Sequence, residues 1–387
     1  HATGTILNDD LEFIKKNVAS TFNSQRTWSP PNFLRQATTK DHSKQIIGYI
    51  TQYDAWKGTN QGLESIGILS QANVDFSKYT ILNYSFFGIA KDGSLHSPDL
   101  ADRDRWMNRD RDRDQWVDQE PANLINIEFS DSFDYYILYG EINPVNELTP
   151  EARAAGFNIK EGTTDIWQWC EGVLEGPFPI PVPDPDGAPG LFELGAQHGV
   201  KILASLGGWS LSQHFPDLSD ATKRAQLVKD CQLLIKLGFD GIDLDWEFPG
   251  PFSGMNFTGS NADYETLALI AEDIRAGIGN DKILTIAFHS IPNRLTDQKW
   301  QRLLAVTDYF NLFGYDFAGG WSNKANHNAP LYVYETQEDR HSFSDTIDYI
   351  ETTLNLPLDK FTLGYPSYGR GVITADATAQ LGSNTIK

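Results

Sequence analysis

Residues 239–249 read FDGIDLDWEFP, and acidic residues occupy every second position in the middle of this apolar run. The aliphatic and aromatic residues predict a strand, in which alternate side chains point to the same face. Asp243, Asp245 and Glu247 therefore share one face. The opposite face is wholly apolar and carries Ile242, Leu244 and Trp246. We therefore expect a strand that is buried on both faces.

Three carboxyl groups on one buried face repel each other unless some of them share protons or hydrogen bonds. This arrangement adds nothing evident to fold stability, and it is typical of catalytic sites. Glu247 comes last, directly before the Pro249-Gly250 turn, so we place it at the carboxyl end of the strand, where the active sites of (β/α)8 barrels lie. The alternatives are an edge strand, which the apolar face disfavours, and a site for Mg²⁺ or Ca²⁺. A metal site needs more converging ligands than this strand offers, so we predict no bound metal.

Short β-rich runs alternate with amphipathic stretches along most of the chain. Strands are predicted at Gln45–Tyr49, Tyr79–Phe87, Val200–Leu206, Phe239–Glu247, Lys282–Phe288, Asp308–Tyr315 and Phe361–Tyr365. Helices are predicted at Ser219–Leu237, with Ser219 as the N-cap and Gly238 just past the end, and at Asn261–Gly277. The alternation predicts parallel βαβ units, either in a doubly wound open sheet or in a closed barrel. The acidic stripe favours the barrel, so we predict an α/β fold, a (β/α)8 TIM barrel truncated after strand seven.

The predicted domain organisation has three parts. Residues 1–44 are polar and form an N-terminal extension, and residues 45–387 form the barrel without its eighth strand. A long insertion at about residues 89–190 separates strands two and three. Within it, the alternating charges of Arg109–Asp114 predict a solvated loop, and the prolines of Pro177–Pro189 predict extended polyproline II.

Composition narrows the classes of partner. The chain has 31 Lys and Arg against 52 Asp and Glu, a net charge of −21, which repels phosphate backbones and makes nucleic acid an unsuitable partner. The sequence contains no run of about 18 consecutive apolar residues, so it predicts no transmembrane helix. Aromatic residues make up 12% of the chain, and their faces suit uncharged sugar rings. The sequence has two cysteines, Cys170 and Cys231, which are too few for a disulfide framework. Cys231 is predicted to be buried in a helix.

Residues 240–247, DGIDLDWE, resemble the DxxDxDxE signature of the family 18 glycoside hydrolases, the chitinases. Four other motifs of that family occur in the same order. They are Gly48-Tyr49, Ser205–Trp209 (SLGGW), Tyr315–Gly319 (YDFAG) and Gly364–Arg370 (GYPSYGR), so the resemblance covers about residues 45–370. It implies hydrolysis of β-1,4-N-acetylglucosamine linkages in chitin, without a cofactor.

The resemblance also implies a role for each residue. In this family the acetamide oxygen of the substrate attacks the anomeric carbon, and the reaction retains the anomeric configuration. Glu247 would be the general acid and later the base, and Asp245 would bind the acetamide N–H and stabilise the oxazolinium intermediate. Asp243 would share a proton with Asp245, and Tyr315 would donate to the acetamide oxygen. The substrate-binding set would be Asp316, Tyr49, Ser205, Trp209, Trp321, Tyr368 and Arg370, with Tyr49 and Ser205 bonding the acids and the two tryptophans stacking on sugars.

Two departures from the family pattern concern Phe313, where the family often has Met, and the eighth strand, for which no sequence is found. We expect little consequence from Phe313. The missing strand predicts either a fragment or a C-terminal companion chain, and membership of a larger assembly such as an insecticidal toxin complex is a further interpretation. We expect a secreted protein. A chitinase-like lectin and an endo-β-N-acetylglucosaminidase are the alternative functions, and retention of all three acids with Tyr315 disfavours the lectin.

Overall fold

The computed structural model describes residues 42–51, 71–72, 74–96, 137–140, 157–159, 166–171, 177–181, 187–255, 257–333, 341–375 and 380–386. These residues form two compact units. The first extends to Asp243 and includes Asp273–Ile283, and the second comprises Leu244–Glu272 with Leu284–Lys387. The predicted extension at 1–44 lies almost wholly outside the described residues, and so does the charged tract Arg109–Asp114.

The described residues contain the following elements. The strands are β1 (Ile47–Thr51), β2 (Ile81–Ile89), β3 (Leu95–His96), β4 (Phe157–Ile159), β5 (Ile166–Glu171), β6 (Pro177–Pro181), β7 (Lys201–Gly207), β8 (Gly241–Asp245), β9 (Ser253–Gly254), β10 (Phe257–Thr258), β11 (Ile283–His289), β12 (Tyr309–Phe313) and β13 (Phe361–Leu363). The α-helices are α1 (Leu191–His198), α2 (Ala221–Leu237), α3 (Asp263–Ile278), α4 (Pro292–Leu295), α5 (Trp300–Val306) and α6 (Phe343–Asp348). Short 3₁₀ turns cover Phe76–Lys78, Pro216–Ser219 and Leu358–Lys360, and a π-helical turn covers Tyr349–Thr353. All seven predicted barrel strands are present, with their ends displaced by at most two residues.

In the first unit, parallel strands follow the order of the chain. β1 pairs with β2, and β2 pairs with β7. The start of β8 lies beside β7, since the backbone N–H of Asp240 donates to the carbonyl oxygen of Ile202 at 2.7 Å. The start of β11 follows, since the N–H of Ile283 donates to the carbonyl oxygen of Asp240. This close approach explains Gly241, where a β-carbon would lie 2.0 Å from the Ile283 carbonyl oxygen.

Helices cover the outer face of this sheet. The ring of Phe192 in α1 packs edge-on against Phe239 at 5.0 Å between centroids, and Phe239 in turn contacts Phe87 on β2 at 5.9 Å. The Cys231 side chain in α2 is fully buried, as predicted. Apolar burial between helices and a parallel sheet is therefore the main source of stability of this unit.

The N-cap of helix α2 lies one residue later than predicted. Asp220, not Ser219, caps it, because the Asp220 carboxylate accepts the N–H groups of Thr222 and Lys223, while Ser219 ends the preceding 3₁₀ turn. The C-terminal end matches the prediction, with Gly238 at a φ of 132°.

The proline run forms a β-strand, so the prediction of polyproline II is wrong for Pro177–Pro181. β6 pairs antiparallel with β5 and lies at the edge of a three-stranded sheet, β4-β5-β6. Pro177, Pro179 and Pro181 alternate with residues that keep their N–H groups, so the prolines remove donors from only one side of the strand. An edge strand tolerates this loss, because that side has no partner strand in the sheet.

In the second unit, β11 from Leu284 onward, β12 and β13 are parallel neighbours. Their helix-facing side is aromatic: the Phe310 ring lies 5.1 Å from Phe361 and 5.4 Å from Trp300 on α5. Arg302 joins α5 to α3 through hydrogen-bonded ion pairs with Glu265 and Glu272. After β13, the described residues 364–375 and 380–386 contain no further strand of this sheet.

Candidate active site

The Asp243 side chain is completely buried on β8, and two hydroxyl groups bond one of its oxygens. Tyr49 on β1 donates to Oδ2 at 3.0 Å, and Ser205 on β7 donates to the same atom at 2.7 Å. Strands β1 and β7 of the first unit thus each contribute one hydroxyl donor to Asp243. Hydrogen bonds of this kind offset the cost of burying a carboxyl group and fix its orientation.

The two remaining acids follow Asp243 along the chain and belong to the second unit. Asp245 is the last residue of β8 and is 3% exposed, and strand alternation gives it the same face as Asp243. Trp246 faces the opposite way and is buried, as the sequence predicts. Glu247 lies two residues beyond Asp245, just past the strand, and is half-buried.

Tyr315 lies two residues after the end of β12. The charges of Asp245 and Glu247 act on its hydroxyl. Burial raises the pKa of this hydroxyl well above the ordinary value of 10, and the negative charges of Asp245 and Glu247 raise it further. Tyr315 therefore keeps its proton, and its hydroxyl is available as a hydrogen-bond donor near two carboxyl groups. A donor and two acids close together can bind an amide group and exchange protons with a substrate.

Asp316 forms a second polar cluster with Tyr368 and Arg370, which belong to the motif Gly364–Arg370. Its carboxylate accepts hydrogen bonds from the Tyr368 hydroxyl at 2.8 Å and from Nε and Nη2 of Arg370 at 2.9 and 2.7 Å. Burial and the hydrogen bond to Asp316 raise the pKa of Tyr368 to about 12. The Arg370 guanidinium also lies 5.1 Å from the ring centres of Trp321 and Tyr368. Four of the predicted substrate-binding residues therefore lie together: Asp316, Trp321, Tyr368 and Arg370.

The two tryptophans that were predicted as sugar platforms are exposed. Trp209 follows β7 in the first unit and is 49% exposed, and Trp321 in the second unit is 53% exposed. The ring of Trp321 lies against Gly319, where a β-carbon would be 2.5 Å from the ring. Exposed aromatic faces of this size are available to stack on sugar rings.

Three further residues of this region received no role from the sequence. Phe313, for which we expected little consequence, packs between Tyr315 at 5.5 Å and Phe248 at 5.9 Å between ring centres. Its position two residues before Tyr315 on a strand was the signal that both share a face. Phe248, directly after Glu247, also contacts His289 edge-on at 4.8 Å. Asn328 bonds the backbone of Asp316, and a lone Asn in a loop gives no such signal.

His289 is a neutral structural residue. Its Nδ1 accepts the backbone N–H of Ile291, and burial lowers its pKa to about 3, with a further contribution from the charge of Arg294. Among the residues that the structure describes, no three His, Cys, Asp or Glu side chains are grouped to hold a metal ion. No helix in the described ranges is long and apolar enough to cross a membrane.

The family model of glycosyl hydrolases family 18 matches residues 191–385, which is half of the chain. The chain belongs to glycosyl hydrolases family 18. The match begins at α1 and includes the acidic strand, Tyr315 and Arg370.

Curated relatives of this family 18 chain are named as chitinases. "Chitinase 1" of Aphanocladium album is 31% identical over 184 residues, 44% of this chain and 41% of that protein. "Endochitinase 1" of Metarhizium robertsii is 33% identical over 189 residues, 45% of this chain and 42% of that protein. "Chitinase A1" of Niallia circulans is 26% identical over 376 residues, 91% of this chain and 46% of that protein. The chain thus spans less than half the length of these relatives.

Solved structures support the family 18 fold. The chitinase ChiA74 from Bacillus thuringiensis matches with a TM-score of 0.57 at 24% identity, over 89% of this chain and 53% of that one. The Group IV chitinase of Ostrinia furnacalis in complex with allosamidin matches with a TM-score of 0.59 at 17% identity, over 89% of this chain and 71% of that one. At these identities the likeness shows a shared fold.

Proposed function

We propose that this family 18 chain hydrolyses β-1,4-N-acetylglucosamine linkages in chitin, with retention and with Glu247 as the general acid and base. The observation that carries the proposal is the grouping of Tyr315 with Asp245 and Glu247, whose negative charges raise the pKa of its hydroxyl in addition to burial. This set supplies the proton donor, the amide acceptor and the carbonyl donor that an acetamide-assisted reaction requires. The names of the curated relatives support the same substrate.

In the first proposed step, Glu247 transfers its proton to the glycosidic oxygen as the bond from that oxygen to the anomeric carbon breaks. The acetamide oxygen of the same sugar forms the new bond to the anomeric carbon, giving an oxazolinium ion and a free alcohol. Asp245 accepts the acetamide N–H and stabilises the positive charge, while Tyr315 donates to the acetamide oxygen and orients it for attack. Because the nucleophile belongs to the substrate, no enzyme carboxylate needs to bond to carbon.

In the second step, the ionised Glu247 removes a proton from water as the water oxygen bonds to the anomeric carbon. The bond from the acetamide oxygen breaks, and two inversions give net retention. Asp243, held by Tyr49 and Ser205, is the proposed partner with which Asp245 shares a proton along β8. The exposed faces of Trp209 and Trp321 suit a polymer of uncharged sugars and favour chitin over a branched glycan.

The proposal is tested by turnover of a labelled chitotriose together with binding of the same oligomer. Glu247→Gln should remove nearly all hydrolysis and leave binding within about threefold, because the amide cannot supply the proton. Glu265→Gln is the matched control, since this glutamate pairs with Arg302 between α3 and α5. Wild-type turnover in Glu247→Gln would place the acid elsewhere. A wild-type protein that binds the oligomer without cleaving it would be a lectin, and one that cleaves only glycoprotein glycans would be an endo-β-N-acetylglucosaminidase.

We also propose that the protein acts outside the cell, because an insoluble polymer such as chitin is accessible to an enzyme only there. Fractionation of the producing cells tests this proposal, and recovery of all the protein from the cell interior would contradict it.

A further inference from the structure

Asp316 has a backbone conformation that residues with a β-carbon rarely adopt. Its φ is 58°, in the left-handed region, and among the described non-glycine residues only Asn355 shares a positive φ. The β-carbon of an L-residue crowds the backbone in this region, so surrounding bonds must hold it. The unusual turn comes directly after Tyr315, and it determines how the side chains of both residues are presented.

Asn328 holds this turn by bonding two consecutive backbone N–H groups. The N–H of Asp316 donates to the side-chain Oδ1 of Asn328 at 3.0 Å, and the N–H of Phe317 donates to its backbone carbonyl oxygen at 3.1 Å. The first bond fixes the plane of the peptide that joins Tyr315 to Asp316. A change at Asn328 is therefore transmitted to Tyr315 without any direct contact with substrate.

The amide nitrogen of Asn328 bonds the motif Gly364–Arg370. Its Nδ2 donates to the backbone carbonyl oxygen of Tyr368 at 3.4 Å. The orientation of the amide follows from its partners, because a backbone N–H can only donate and a carbonyl oxygen can only accept. Since the Tyr368 hydroxyl donates to the Asp316 carboxylate at 2.8 Å, three hydrogen bonds form a closed ring through Asp316, Asn328 and Tyr368.

We infer that Asn328 is a positioning residue for Tyr315 and Asp316, and this inference rests on the proposed function. The closed ring ties the loop after β12 to the loop after β13, both in the second unit. A residue that only completed a surface turn would have no reason to bond both loops. Asn328 acts by keeping the Tyr315 hydroxyl in the orientation that an acetamide oxygen requires.

The first arm of the test measures hydrogen–deuterium exchange and needs no activity. Asn328→Ala should speed exchange of the Asp316 amide by at least about tenfold, because its acceptor is lost. The Phe317 amide should remain protected, because its acceptor is the backbone oxygen of residue 328. Asn326→Ala is the matched control in the same loop, since the buried Oδ1 of Asn326 has no hydrogen-bond partner within the described residues. Equal exchange of the Asp316 amide in wild type and Asn328→Ala overturns the inference, and loss of protection at Phe317 as well shows general unfolding of the loop and also overturns it.

The second arm measures kcat and KM on chitin oligomers. Asn328→Ala should lower kcat by about 10- to 100-fold with less than about threefold change in KM, as expected for a misoriented donor. Asn328→Asp keeps the acceptor for the Asp316 N–H but loses the donor to the Tyr368 carbonyl oxygen, so it should recover part of the lost kcat. If Asn328→Ala and Asn326→Ala have the same kcat in an active enzyme, the inference is wrong. If the wild-type protein cleaves no oligomer, the proposed function fails, and the exchange measurement alone decides the inference.

Discussion

Arg370 and Asp316 form a two-point ion pair, with Nε and Nη2 of the guanidinium 2.9 and 2.7 Å from the two carboxylate oxygens. The same guanidinium lies over the ring of Trp321 at 5.1 Å. Asp316 therefore fixes the cation, and the cation in turn supports one face of an exposed tryptophan. The ion pair therefore connects Asp316, in the motif Tyr315–Gly319, to Trp321, a proposed sugar platform.

Arg370→Lys should weaken binding of long chitin oligomers. Lysine keeps the charge but lacks the planar guanidinium that pairs with both carboxylate oxygens and lies flat on the ring, so the support of Trp321 is weakened. We expect Kd for chitohexaose to rise by about 3- to 10-fold, measured by tryptophan fluorescence, with kcat on chitotriose less affected. Arg302→Lys is the matched control, because Arg302 bonds Glu272 in the same two-point manner between α3 and α5. Equal Kd values in wild type and Arg370→Lys would contradict this role.

Tyr49→Phe and Ser205→Ala should each slow turnover by about tenfold, since each removes one hydroxyl donor from Asp243 Oδ2 and loosens a buried carboxyl group. Both variants are compared by kcat and by thermal unfolding. The double variant should lose less than the product of the two single losses, because the donors share one acceptor atom. Ser77→Ala is the control, as Ser77 donates to Asp75 at 2.6 Å beside a 3₁₀ turn. Unchanged turnover in both single variants would show that these two hydroxyl groups do not position Asp243 for turnover.

Tyr315→Phe should lower kcat by about 100-fold and leave the alkaline side of the pH–rate profile unchanged. Because burial and two carboxylates raise the pKa of Tyr315 above its ordinary value, its hydroxyl keeps its proton throughout the working range. A decline in rate between pH 7 and 10 must therefore come from another group, and it should persist in the variant. Disappearance of that decline in Tyr315→Phe would show that Tyr315 titrates in this range.

The acidic strand could be predicted from the sequence because strand periodicity is local. Two-residue spacing places Asp243 and Asp245 on one face wherever the strand lies. The helix cap could not be predicted, because Ser219 and Asp220 both cap helices well and the preceding 3₁₀ turn selects between them. Asn328 gave no signal because its role depends on a partner loop 40 residues further along the chain.

The buried Asp230 also depends on a distant partner. It lies on α2, and its Oδ2 accepts the backbone N–H of Leu95, which is 135 residues away. Helical spacing alone gives Asp230 no distinction from an exposed acid. Burial raises its pKa from 3.8 to about 7, with Asp92 adding to the effect.

Asp230→Asn should make the protein more stable at pH 8 than wild type, with little difference near pH 4. The folded protein holds the Asp230 proton up to about pH 7, whereas the unfolded chain releases it near pH 4. Between these values the folded state binds more protons, so wild-type stability falls as pH rises and then levels off. The difference in free energy of unfolding between Asp230→Asn and wild type reaches at most about 4 kcal/mol. Denaturant unfolding at both pH values measures it, with the exposed Asp281→Asn as control, and a pH-independent difference would contradict the raised pKa.

The acetyl group of the substrate decides between the proposed chemistry and a conventional enzyme nucleophile. If the acetamide oxygen attacks the anomeric carbon, a fully deacetylated oligomer lacks the nucleophile and should not be cleaved, whereas the acetylated oligomer of equal length should be. Asp245→Asn should slow cleavage of the acetylated oligomer by about 100-fold, because the oxazolinium charge loses its counter-ion. The amount of each product over time, measured by mass spectrometry, gives both effects on one set of oligomers. Efficient cleavage of the deacetylated oligomer would exclude the acetamide-assisted route, because the nucleophile would then be an enzyme carboxylate or a water molecule, and Asp245 would be the first residue to test for a covalent adduct.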